Sequence, residues 1–184
     1  MEIIQRYPDD KCVQEIAFTT LWGTLMATPT DHREAAVLNT SPVPILLDRI
    51  TSKNPIVCYC ATGALALAVN ALRPTELARF DVSATMRTLL DLSKMHPIQP
   101  TKEAALAAVR GLLEARVWID AAVQREVVDV LLLHLQHPHV PYSLASQAAA
   151  ALMASPAVTG QWSAAQLSKL LSLETCLSDT SLKE

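Results

Sequence analysis

Residues 52–72, SKNPIVCYCATGALALAVNAL, decide how the chain is read. Asn54 followed by Pro55 is a helix start, because an Asn side chain can accept the first free amides and Pro fits the first turn but cannot continue a helix. From Asn54 to Leu72 there are 19 residues without a charge, bounded by Lys53 and Arg73. That length just suffices to span a bilayer. Asn54, Pro55, Thr62, Gly63 and Asn70 interrupt it, however, and its alanines contribute little transfer energy, so no membrane span is expected. The segment reads instead as a helix buried on most sides, with Ala61, Leu65 and Val69 as an i, i+4, i+8 stripe.

That stripe recurs. Ala17, Leu21 and Leu25 precede it, Ala105, Val109 and Leu113 follow, and Ala148 with Leu152 ends the series, at spacings of 44, 44 and 43 residues. Before the last three copies lies a second apolar helix, Val43 to Ile50, Thr85 to Leu92 and Val127 to Leu135. The linkers between the paired helices carry Pro55, then Pro97 and Pro100, then Pro138 and Pro141, which enforce the break. Ser52, Asn54, Thr101 and Ser143 are the expected caps. A shorter third segment precedes each pair: Thr30 to Leu38, Pro74 to Phe80 and Asp120 to Gln124. A fixed period of this size is the mark of a helical repeat protein.

Composition agrees. The 184 residues include 27 Ala and 27 Leu but only 4 Gly and 8 aromatics, which argues for helices and against a sandwich or barrel. A net charge of −3, with no run of basic residues longer than two, disfavours nucleic acid as a partner. Four cysteines (Cys12, Cys58, Cys60, Cys176) in mostly apolar context read as core thiols, so a reducing compartment, cytoplasm or nucleus, is expected. The stretch MEIIQRYPDDK has acidic residues and no apolar run, unlike a secretory signal or transit peptide.

The stretch Val13 to Ile50, and Ser52 to Val69 with it, resembles the armadillo repeat family, with HEAT repeats as near neighbour. The resemblance runs from about Asp10 to Leu173 and implies an all-α fold, a right-handed α-solenoid of about four armadillo-like repeats with a groove lined by the third helices. Residues 1–174 would form this domain and 175–184 a polar tail. The first recognisable helix is then of third-helix type and the last, Ser163 to Leu173, of second-helix type, with Met1 to Arg6 covering the N-terminal edge.

Family members that bind nuclear localisation peptides carry Trp and Asn at fixed steps of each third helix. The matching positions here are Thr19, Gly63, Ala107 and Ala150 for Trp, and Gly23, Leu67, Gly111 and Ala154 for Asn. That ladder is absent, so classical import-receptor activity is not expected. Together with Trp22, the one third-helix Trp, these residues form the candidate partner-binding row. A small-residue floor suits an amphipathic helix or another protomer, although the same residues also let helices pack closely.

No chemistry stands out. His134, His137 and His139 lie near one another, but no Cys or carboxylate stands at ligand spacing, so turn histidines are the favoured reading and no metal is expected. Cys58 and Cys60, at i and i+2, point apart on a helix and cannot share an ion. Phosphate-loop, dinucleotide and nucleophile-elbow fingerprints are missing, so no catalytic residue and no cofactor are assigned. Trp118 and Trp162 read as packing residues. The expected function is a non-catalytic adaptor or scaffold that binds another protein, a peptide or an amphipathic helix. The rivals are a self-assembling solenoid that binds a further copy of itself and a helical-repeat nucleic-acid binder using Arg73, Arg79, Arg87 and Arg110.

Overall fold

The computed structural model describes residues 2–117, 119–136 and 151, and among these no strand occurs. The helices are α1 (Glu2–Arg6), α2 (Lys11–Ala27), α3 (Thr30–Thr40), α4 (Val43–Arg49), α5 (Pro55–Ala71), α6 (Pro74–Leu77), α7 (Val82–Met95), α8 (Gln99–Glu114) and α9 (Ala121–Gln136). Side chains cap the starts of α2, α5, α7 and α9. Asp10 accepts from the Val13 amide at 3.0 Å, Asp81 from Ala84 at 2.9 Å, Asp120 from Val123 at 2.8 Å, and Asn54 from Ile56 and Val57 at 3.0 and 3.4 Å. Each supplies an acceptor to amides that have no partner within the helix. At the other end of α2, Arg33 donates to the Leu25 and Thr28 carbonyls, both at 3.0 Å, and so binds α3 to the last turn of α2.

Helix α5 is the centre of the molecule, packed against α2, α3, α4 and α8. This explains why it is apolar on nearly every face, and no helix among the described residues is long and apolar enough to cross a membrane. The repeated stripe is the core: Ala61, Leu65, Val69, Ala105, Val109, Leu113 and Leu25 are buried, with Ala17 and Leu21 packed against them. The copy at Ala148 and Leu152, the segment Ser163 to Leu173, the cap Ser143 and the tail 175–184 fall outside the described residues.

Two expectations are corrected. Thr101 does not cap α8: the helix already begins at Gln99 with Pro100 in its first turn, and Thr101 is buried one position further in. The preset dihedral of proline starts the helix ahead of the hydroxyl. The segment Asp120 to Gln124 is not a separate short helix either. Asp120 caps α9, which runs unbroken to Gln136 because no Pro or Gly interrupts QREV, and Val123, Val127, Val130, Leu131 and His134 form one buried stripe.

His134 ties α9 to α7. The Ser93 hydroxyl gives its proton to the Leu90 carbonyl at 2.7 Å, so His134 Nε2–H must be the donor in its 3.2 Å contact with Ser93 Oγ. Burial, and then the charges of Lys102 and Lys94, hold the imidazole below its usual 6.5. A group that the fold keeps neutral contributes stability above the unfolded value and loses it as pH falls toward the lowered folded value. The denaturant midpoint should therefore drop as the solution is acidified below about pH 6.5, and His134→Gln should flatten that drop. An identical pH profile for the variant would refute this assignment.

Candidate functional site

The third-type helices α2, α5 and α8 lie side by side and share one face. Trp22 of α2 meets Tyr59 of α5 edge to face, with ring centroids 4.9 Å apart and planes at 69°. Such pairs add about 0.5–1.5 kcal/mol beyond area burial. The Thr19 hydroxyl lies 3.6 Å from Cys60 Sγ, and Asn54 Nδ2 donates to Glu15 Oε1 at 2.8 Å, so the same seam is held along its length. Burial chiefly, with Cys60 and Glu103 nearby, pushes the Tyr59 hydroxyl above the ordinary tyrosine range and keeps it a neutral donor.

The candidate row divides by position. Thr19 and Gly23 are exposed, Trp22, Leu67 and Ala107 are half-buried, and Gly63 and Gly111 are buried, while Ala150 and Ala154 lie outside the described residues. The two buried glycines work between helices. A Cβ on Gly63 would stand 2.8 Å from Trp22 Nε1, and one on Gly111 would strike the Asn70 amide and sit 3.0 Å from Val69 Cγ1. In both cases a side chain of the preceding third-type helix, 41 residues earlier, lies across the glycine. Gly23, by contrast, has nothing within 4 Å of that point. The residues that build the surface of the face are thus Trp22, Tyr59, Leu67, Asn70 and Ala107. Tyr59 and Asn70 escaped the sequence reading, and the 41-residue offset was the signal for Asn70.

The other candidates fall into place individually. Cys58 and Cys60 are buried, Cys58 donates to the Ile50 carbonyl at 3.0 Å, and burial raises its pKa; Cys12, expected in the core, is instead exposed at the start of α2. Among the described residues no three His, Cys, Asp or Glu side chains gather closely enough to hold a metal ion. His137, His139, Trp118, Trp162 and Cys176 lie outside the described residues. The four arginines considered for nucleic acid each have a carboxylate partner: Arg73 with Glu34 (2.8 Å), Arg79 with Glu76 (2.9 Å), Arg87 with Asp120 (3.0 Å) and Arg110 with Glu114 (3.5 Å). Arg73 and Arg79 flank α6, while Arg87 lies on α7 and Arg110 on α8.

No protein-family model matches the chain, and no curated protein matches it significantly. Solved structures do. A designed armadillo repeat protein in complex with the peptide (KR)4 aligns at a TM-score of 0.63 and 12% identity, over 94% of this chain and 69% of that one. A second engineered protein, a structural-genomics target, gives 0.61 and 17%, over 94% of this chain and 67% of its own. Identities this low speak for the backbone alone. The chain thus folds as an all-α solenoid of armadillo-like helical repeats.

Proposed function

We propose that this chain is a non-catalytic adaptor that holds a peptide or an amphipathic helix of another protein along the shared face of α2, α5 and α8. The observation that supports this reading is the composition of that face: a half-buried aromatic pair, Trp22 with Tyr59, beside Leu67, Asn70 and Ala107. Aromatic groups that remain partly open offer contact area at low entropic cost, and a nearby amide can pair with a ligand backbone. A protein of the same fold that binds a peptide adds to this reading. Buried thiols at Cys58 and Cys60 suit a reducing compartment, and we place the protein in the cytoplasm or nucleus.

The test is a peptide-display selection against the whole chain, followed by affinity measurement of the enriched sequences. Ala107→Arg, which sets a charged side chain on the face, should weaken those peptides about tenfold or more while the thermal melt stays within a few degrees. Enriched peptides that bind the variant as tightly as the wild type would move the site elsewhere on the molecule. A selection that enriches nothing would defeat the proposal.

A further inference from the structure

The stack of third-type helices repeats one contact, and its first copy is open. Positions 44 residues apart correspond: Ile16, Cys60 and Ala104; Thr20, Ala64 and Ala108; Gly23, Leu67 and Gly111. In α5 and α8 four of these six positions are buried, and Leu67 and Ala104 are partly buried. Cys60 is 3% exposed, Ala64 and Ala108 are 0% exposed, and Gly111 is buried beneath Asn70 and Val69. In α2 the same positions face outward: Ile16 is 69% exposed, Thr20 and Gly23 are exposed, and the space over Gly23 is empty. An isoleucine left two-thirds open, on a helix whose neighbours in the stack bury most of the matching positions, is an open stacking surface.

We infer that Ile16, Thr20 and Gly23 form a docking socket for an α-helix supplied by a partner protein, one with an uncharged stripe that sets an Asn side chain over Gly23. The occupant is read from the molecule itself: Gly23 corresponds to Gly111, which Asn70 of the preceding third-type helix covers, so continuing that helix-on-helix interface to α2 calls for one more helix. The side chains that cover the internal glycines are Trp22 over Gly63 and Asn70 over Gly111. The socket carries no charge, so a charged stripe would be desolvated there without compensation. A second copy of the chain offers no match among the described residues. The covering faces of α2 and α5 are already engaged, and the corresponding face of α8 carries Arg110 and Glu114. This socket lies at the open side of α2, apart from Ala107 on α8, so it stands independently of the adaptor reading.

The probe is a synthetic peptide of residues 54–72, the helix that covers the equivalent position at Gly111, with serine at both cysteines, a short lysine tail and a fluorescent label. Titrated with the full chain, it should bind saturably. Thr20→Arg and Gly23→Arg should each weaken it about tenfold or more. Both positions are exposed, so neither variant should melt below the wild type, and Ala107→Arg should bind the probe normally. Absence of saturable binding, or binding indifferent to both socket variants, overturns the inference. Loss of binding in Ala107→Arg alone would also overturn it, by assigning the peptide to the shared face. Concentration-dependent self-association of the wild type that Thr20→Arg abolishes would overturn it as well, by seating a second copy in the socket.

Discussion

Leu65→Ala should cost about 3–4 kcal/mol of stability, the range for truncating a fully buried leucine whose surroundings relax only in part. Leu65 is 1% exposed in the middle of α5, the helix that joins α2, α3, α4 and α8 into one core. A small, partly open apolar pocket of about 10 Å³ already lies beside it, lined by residues that include Val43, Val69, Phe80 and Leu112. The lost side chain would enlarge this space and leave its lining without those contacts. In a stacked repeat protein each unit is stabilised by its neighbours, so a defect in the central helix weakens both of its interfaces. Urea denaturation followed by circular dichroism would measure the effect, and a loss below about 1 kcal/mol would mean that α5 is not the packing centre described here.

Glycines at equivalent positions should respond with opposite sign. Gly111→Leu is expected to lower stability by about 2 kcal/mol, because inserting carbon atoms into a filled interface costs about 1–3 kcal/mol. The exposed Asn70 amide can swing aside, but Val69 Cγ1, 3.0 Å from the new Cβ, belongs to a buried β-branched residue with one preferred rotamer. Gly23→Ala is expected to raise stability by up to about 1 kcal/mol, since a helical glycine is replaced in open space and the unfolded chain loses freedom. Thermal melts of the two variants decide the matter: a chain of this length moves by roughly 2–4 °C per kcal/mol. Equal shifts of the same sign would remove the distinction between the covered and the open position. The same geometry means that Gly111→Arg would report on folding before it could report on partner binding.

What the sequence determined by itself was the local architecture. The 44-residue recurrence of Ala17, Ala61 and Ala105 set the helices and their core stripes, because burial of one face per helix leaves a periodic trace in the chain. Proline and capping side chains marked the breaks for an equally local reason, and the uncharged run in α5 announced a helix surrounded by others. Two local signals misled: Thr101, since Pro100 starts its helix first, and Asp120 to Gln124, since a short polar segment with no helix breaker after it simply joins the next helix. The tertiary structure alone decided what the small residues do. Gly23, Gly63 and Gly111 are the same residue type in similar helices, yet two lie under a neighbour's side chain and one is open. That difference depends on which helix lies alongside, a long-range relation that a glycine's own sequence neighbours do not encode. The pairing of Trp22 with Tyr59 and the placing of Asn70 over Gly111 belong to the same class, because each joins residues some forty positions apart through the crossing of two helices.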